Sequence, residues 1–300
     1  MNIEEVDDNV FWLNTTIDGV KNTFAIYLIR EGNGVLIEPG PAITLPLIQD
    51  ALKKLGMKRL SYIIPTHVHV DHAGGTGSLA SVFPEAAVIL HPRGKKHLID
   101  PDRLVESTKT VWGAEFEKMF GPVLSVPESQ IKVPLDGEIF LVGHRELEIL
   151  YAPGHAPHQV VVFDRKSRSL FCGEALGLVG RSEDPFPLPA VAPPSFEQEQ
   201  YLKTMEQLRK LKPRRLLFSH GGPIQEADKI FSIALENTRA FGNIVLQALR
   251  DGEALEEIGH RVVDYVRVRF GRELDETDLI MTVGGYVVYF KSKGLLKKKG

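Results

Sequence analysis

Seven side chains able to hold a metal ion are spread along this chain, and four of them fall within six residues, in Thr66-His67-Val68-His69-Val70-Asp71-His72. His67 and His69 are two apart, just past an apolar run at residues 60–64 that reads as a strand ending at Pro65. In extended backbone, residues two apart project to the same side, so both imidazoles can reach one cation at about 2 Å. Asp71 and His72 are neighbours and point differently, which suits a second set of ligands better than the first. The run continues into Ala73-Gly74-Gly75-Thr76-Gly77. So many coordinating groups beside a buried strand are costly to enclose without a positive ion to satisfy them, and that argues against a coincidental polar loop.

The elements that must position these groups are legible as hydrophobic patterns. Apolar runs at 10–13, 23–29 and 34–37, separated by turn residues, read as neighbouring antiparallel strands. Leu45, Ile48, Leu52 and Leu55 then recur at helical spacing, with Lys53 and Lys54 off the stripe and Gly56 as a stop. Further strands are expected at 87–90, 147–151, 160–163, 169–172 and 215–218. Ser195-Phe196-Glu197-Gln198 has a capping-box pattern and is expected to open a helix with Tyr201, Met205, Leu208 and Leu211 on one face. Strands interleaved with helices imply a layered α/β architecture. Residues 92–130 read as a helical insertion near the site, carrying Leu104, Val111, Trp112, Phe116 and Phe120, and residues 176–194, rich in proline and glycine, read as a loop. From about residue 226 strands give way to helical periodicity. The expected division is therefore a catalytic domain at 1–225 and a helical C-terminal module at 226–300. The tail residues Lys291, Lys293, Lys297, Lys298 and Lys299 make the end locally basic.

Composition narrows the function. The chain has 300 residues, 43% of them hydrophobic and 25% charged, which is ample for a large core. A net charge of -3 offers no broad basic field for a phosphate backbone, so nucleic acid is not the expected partner. The opening residues are acidic without an apolar leader, and no apolar run nears the roughly 20 residues of a spanning helix. Together with a single cysteine, Cys172, which has no internal disulfide partner, this leads to the expectation of a cytoplasmic protein with no membrane contact. Cys172 lies in an expected buried strand and is read as a core thiol. His158 and His91 are candidates to line the pocket, whereas His97, His144 and His260 are read as surface or satisfied core residues.

The motif His67-x-His69-x-Asp71-His72 recurs with Tyr151-Ala152-Pro153-Gly154-His155, Phe171-Cys172-Gly173-Glu174-Ala175-Leu176-Gly177 and Ser219-His220-Gly221-Gly222. This combination resembles the metallo-β-lactamase superfamily over residues 8–222, and within it the glyoxalase II-like (hydroxyacylglutathione hydrolase-like) branch. The resemblance implies an α/β fold, a four-layer αββα sandwich with the helical C-terminal module appended. It further implies that His67, His69 and His155 hold one divalent ion and that Asp71, His72 and His220 hold another. Glu174 would bridge the two, at a position where the family usually has aspartate.

Nitrogen and carboxylate ligands without thiolate suit zinc, with iron(II) or manganese as alternatives. Two such ions imply a hydrolase using a metal-bound hydroxide, with Asp71 as the catalytic residue that orients it. The expected substrate is a small molecule with a thioester or related acyl bond. Two alternatives remain open. One is a phosphodiesterase or ribonuclease, since residues 284–297 resemble a winged-helix-like terminal helix and basic wing. The other is persulfide dioxygenase-type iron chemistry on the same scaffold. A homodimer through the insertion or the C-terminal module is a further expectation.

Overall fold

The computed structural model describes residues 2–16, 23–179, 185–274 and 276–295. Seven strands form the first sheet: β1 (Asn2–Asp7), β2 (Val10–Thr16), β3 (Thr23–Ile29), β4 (Val35–Ile37), β5 (Tyr62–Ile64), β6 (Ala87–Ile89) and β7 (Ile131–Lys132). They lie side by side in chain order, antiparallel from β1 to β4 and parallel from β4 to β7. Parallel neighbours require crossovers, and helices supply them. These are α1 (Leu45–Lys54) after β4, α2 (Val70–Ala73) and α3 (Thr76–Val82) after β5, and α4 (Lys95–Ile99), α5 (Asp102–Trp112) and α6 (Phe116–Phe120) after β6.

The second sheet comprises β8 (Glu138–Val142), β9 (Arg145–Tyr151), β10 (Val160–Asp164), β11 (Ser169–Gly173), β14 (Arg215–Phe218) and β15 (Pro223–Ile224), in the spatial order β15-β14-β11-β10-β9-β8. Between β11 and β14 come a small ribbon of β12 (Leu178–Val179) and β13 (Pro187–Leu188), and then α7 (Gln198–Lys210). The chain closes with α8 (Ala227–Asp251), α9 (Leu255–Phe270) and α10 (Glu276–Ser292). No helix among the described residues is long and apolar enough to cross a membrane.

Successive strand residues point to opposite faces, and the two sets bury into different cores. Phe11, Leu13, Ile26, Leu28, Leu36, Ile63 and Val88 face α1 and α3, while Val10, Trp12, Tyr27, Ile29, Val35, Ile37 and Ile64 face the second sheet. On that sheet Val160, Val162, Phe171 and Leu217 face inward, and Val161, Phe163, Leu170, Leu216 and Phe218 face α7 and α8. Helix, sheet, sheet and helix are therefore stacked, as the resemblance implied. Both faces of each sheet are covered, which explains why the strands read as unbroken apolar runs. The C-terminal helices share the outer core: Ile230, Phe231, Val262, Val283 and Tyr286 are enclosed with Tyr201 and Met205 of α7. The expected terminal helix and basic wing, residues 284–297, end outside the described set, and residues 284–292 belong to α10.

Two details differ from the sequence reading. Helix α7 begins at Gln198, with Glu197 at its N-cap, and no side chain caps it. The Glu197 N–H donates instead to the Gly154 carbonyl (2.8 Å), and that tie fixes where the helix starts. The edge strands β1 and β8 carry no continuous apolar run, because each leaves much of one face in solvent.

At the end of the sandwich that receives the β3–β4 turn, Arg145 is fully buried. It pairs with the buried carboxylate of Asp164, reaches Glu31 (3.1 Å) and donates to the Asp8 carbonyl (2.6 Å). One guanidinium thus joins the β1–β2 turn, the β3–β4 turn, β9 and β10. Removing one partner of a buried pair strands the other charge. Arg145→Met is expected to cost about 3–5 kcal/mol in urea unfolding. Arg145→Met/Asp164→Leu should recover part of that loss. A single variant as stable as the wild type would contradict the role.

Candidate metal centre

The parallel strands β4 and β5 and the strands β11 and β14 of the second sheet deliver their carboxyl ends to one place. Past β5 the chain runs through Thr66 and His67 to His69, then turns into α2, which carries Asp71 and His72. His155 sits in the loop between β9 and β10, and His220 follows β14. The β11–β14 pairing slips by one residue between Phe171 and Gly173, and this bulge aims Glu174 into the site. Gly173 (φ +53°) is required there, since a Cβ would lie 2.6 Å from Thr66 Oγ1. The sheets are tied together beside the site by the Tyr27 hydroxyl, which donates to the Phe218 carbonyl (2.6 Å), and by the Ala25 N–H, which donates to the Ser219 carbonyl (2.8 Å).

All seven residues singled out from the sequence are brought together, in two groups whose ligand atoms lie within 4.8 Å of one another. In the first, His67 Nε2 is 2.9 Å from His69 Nδ1, and His155 Nε2 is 3.2 Å from the same atom. In the second, Asp71 Oδ2 is 3.3 Å from His72 Nε2 and 3.4 Å from His220 Nε2. Glu174 divides between them. Its Oε2 lies 2.6 Å from His155 Nε2, and its Oε1 lies 3.4 Å from His220 Nε2. Donors arranged tetrahedrally at about 2.0–2.1 Å from an ion stand roughly 3.3–3.4 Å apart, so both groups fit a divalent cation. The longer arm of glutamate still spans both positions.

Outer partners set the tautomers. The Ala190 carbonyl can only accept, so His155 Nδ1 donates to it (2.9 Å) and leaves Nε2 free to ligate. Glu38 does the same for the rest. It accepts from His72 Nδ1 (2.9 Å), from the Ser219 hydroxyl (2.8 Å) and from Thr66 Oγ1. Because Thr66 spends its proton on Glu38, His67 Nδ1 must donate to Thr66 (3.1 Å), which again leaves Nε2 free. Glu38 is buried and held at a left-handed φ of 60°. Sequence reasoning missed it, although a carboxylate directly after a strand buried on both faces signals partners of its own.

Electrostatics separate the two groups. Burial and the neighbouring histidines keep His67 well below its ordinary value and lower His69 to about 4. Burial would lower His220 too, but the carboxylates of Asp71 and Glu174 outweigh it and raise it to about 9. His72 is likewise raised by Asp71 and Glu38. Burial opposes ionisation of Glu174 and Asp71, yet the surrounding histidines hold both carboxyls well below the usual range.

Of the other histidines, His158 packs near His67 and His69, at ring distances of 6.2 and 5.9 Å, and is lowered to about 3 by burial and by His69. His91 packs at a tilt against the Tyr151 ring (4.2 Å between centroids) and accepts from the Arg93 N–H (3.1 Å), outside the ligand groups. His97 lies 6.1 Å from the His158 ring, while His144 and His260 are exposed. Cys172 is a buried core thiol that donates to the Leu217 carbonyl (3.3 Å), and burial pushes its pKa up.

Comparison with known proteins agrees with this geometry. Residues 18–220 match the family model described as the metallo-beta-lactamase superfamily. The metallo-beta-lactamase fold-containing protein ST1585 of Sulfurisphaera tokodaii is 28% identical over 169 residues, covering 55% of this chain and 62% of that protein. Its crystal structure superposes with a TM-score of 0.63 at 23% identity, over 76% of this chain and 85% of that one. The human acyl-coenzyme A thioesterase MBLAC2 is 25% identical over 191 residues, covering 58% of this chain and 65% of the relative. A hydroxyacylglutathione hydrolase of Methylococcus capsulatus is 25% identical over 214 residues, covering 70% of this chain and 66% of the relative. The matched region thus spans just under two thirds of each of these curated relatives.

Two outcomes are expected. The first group is held toward neutral imidazoles at His67 and His69, whereas the carboxylates favour protonation in the second group, at His72 and His220, which a cation must displace. Filling the second group should therefore release protons and strengthen as pH rises toward 9. Calorimetric metal titrations in buffers of different ionisation enthalpy measure this, and a second binding phase independent of buffer would contradict it. Glu38→Gln turns an amide toward His72 Nδ1, which favours the wrong tautomer. It should weaken the second site about 10–100-fold and spare the first, as read by metal content after dialysis against a graded chelator.

Proposed function

Because this chain belongs to the metallo-β-lactamase superfamily, we propose that it is a metal-dependent hydrolase of the glyoxalase II-like branch acting on a thioester of a small molecule. The observation that carries the reading is the ligand set itself, seven residues divided into two groups around one glutamate carboxylate. When bound, two divalent cations supply Lewis acidity toward the substrate oxygen and bring a water to reactivity near neutral pH. Zinc is the proposed ion, on the nitrogen and carboxylate donor set.

The chain's own groups have distinct tasks. His67, His72 and His155 are buried and fixed from behind by Thr66, Glu38 and Ala190, so they hold position. His69, Asp71 and His220 are the half-buried members, and the site opens on their side. Asp71 turns Oδ2 toward the second group, 3.3 Å from His72 Nε2, and its carboxylate would orient the attacking water.

An apolar wall beside this opening supports an acyl substrate. Val70, next to Asp71, packs with Phe116 and Phe120, and Leu104, Val105, Trp112 and Met119 stay partly exposed against that cluster. Helix α5 buries none of its residues fully, and its apolar side packs on this cluster while keeping some surface in solvent. The relatives named for acyl-coenzyme A and hydroxyacylglutathione add weight to sulfur-linked acyl groups.

The test is a panel of acyl-coenzyme A and acyl-glutathione thioesters, lactones and bis-nitrophenyl phosphate, assayed on metal-loaded protein and after chelation. Thioesters should show the highest kcat/KM, chelation should abolish turnover, and His155→Ala should lose metal and activity together. Asp71→Asn should cost at least about 100-fold in kcat. Turnover by metal-free protein, or a clear preference for the phosphodiester, would overturn the proposal.

A further inference from the structure

His158 stands beside the metal centre but belongs to neither ligand group. Its ring lies 5.9 Å from the half-buried His69 ring and 6.2 Å from the His67 ring, nearly parallel to the latter, and the exposed His97 ring lies 6.1 Å away. Two backbone hydrogen bonds hold it there. The Val68 N–H donates to His158 Nδ1 (3.4 Å), and the Val160 N–H donates to the Thr66 carbonyl (2.7 Å), so residues 158–160 are tied to the ligand-bearing segment 66–69. Gly94 lets the turn after β6 close on both, since an added Cβ there would lie 2.8 Å from Val68 Cγ1 and 3.8 Å from His158 Cβ.

An Nδ1 that accepts a hydrogen bond carries no proton, so the ring is neutral and its proton sits on Nε2. Among the described residues that N–H meets no protein acceptor, yet it is not enclosed either. A donor fixed by the backbone, open to solvent and beside the rings of His67 and His69 is placed to meet a ligand of the first group. We propose that His158 is a catalytic residue that donates its Nε2–H to the carbonyl oxygen of the acyl substrate and to the oxyanion formed from it.

This role rests on the acyl-bond hydrolysis proposed above and adds a residue outside the ligand set. Attack by water at the carbonyl carbon moves the π pair onto oxygen, and return of that pair expels the thiolate, leaving a carboxylate and a thiol. Of the two water protons, one ends on the thiol and the other in bulk solvent, while His158 keeps its own. A neutral dipole held in place by the backbone stabilises charge as it develops on the oxygen and needs no reorganisation to do so.

Two substitutions separate the donor from the anchor on metal-loaded, full-length protein. A Gln amide reaches the place of Nε2, whereas an Asn amide reaches only that of Nδ1. His158→Asn should lower kcat about 100-fold while raising KM about tenfold at most, and His158→Gln should keep about a tenth or more of the wild-type kcat, both with unchanged metal content. Calorimetry supplies a reading apart from turnover. A ketone analogue with methylene in place of the sulfur should bind His158→Asn about three- to tenfold more weakly than wild type, and an analogue that also has methylene in place of the carbonyl should bind both equally. His158→Asn at wild-type activity, His158→Asn outperforming His158→Gln, metal lost from either variant, or equal binding of the ketone would each overturn this role. A wild type that hydrolyses lactones in preference to thioesters would sink only the thioester reading, and the same comparison then runs on the lactone. One that cleaves no acyl bond would overturn both.

Discussion

Burying two anionic carboxylates among five imidazoles is the constraint around which this molecule is arranged. Asp71 and Glu174 are drawn into a space where their oxygens and the ring nitrogens of His67, His69, His72, His155 and His220 stand a few ångströms apart. The carboxylates favour protons on His72 and His220, yet those two rings face each other with Nε2 atoms 3.4 Å apart, and His67 and His69 are held neutral by burial and by their neighbours. Divalent cations held between the two groups would resolve both problems. The opposite nitrogens of His67, His72 and His155 are already engaged by Thr66, Glu38 and the Ala190 carbonyl, which leaves Nε2 of each facing the cluster.

The four-layer scaffold makes such a cluster affordable in mechanical terms. Strands β4 and β5 of one sheet and β11 and β14 of the other end together, and Glu38 connects three of those ends through Thr66, Ser219 and His72. Tyr27 and Ala25 lock the sheets beside the site. Far from the site, the buried Arg145 performs the corresponding task for the turns. Between these two polar anchors the interface between the sheets is apolar, with Ile37, Ile64, Val162 and Leu217 among its members, and it transmits position without adding polar groups that need partners.

Much of this was legible from residue order because the ligands sit where periodic apolar runs stop. The runs leading to His67, His155, Glu174 and His220 are strands buried on one or both faces, and such strands announce themselves. Glu38 was passed over because its partners lie 28, 34 and 181 residues away, beyond any local pattern. The edge strands β1 and β8 escaped notice for a different reason: half of each faces water, so neither shows a continuous run. The start of α7 was misplaced by two residues because a tertiary hydrogen bond to Gly154 outweighed a local capping pattern.

The central claim is that one glutamate carboxylate shares itself between two metal positions. Anomalous diffraction from crystals of metal-loaded protein, recorded at the absorption edge of the bound element, tests that claim most directly. The account predicts two peaks, one among His67, His69 and His155 and one among Asp71, His72 and His220, with an oxygen of Glu174 bound at each. A single peak, or two peaks of which Glu174 touches only one, would contradict it.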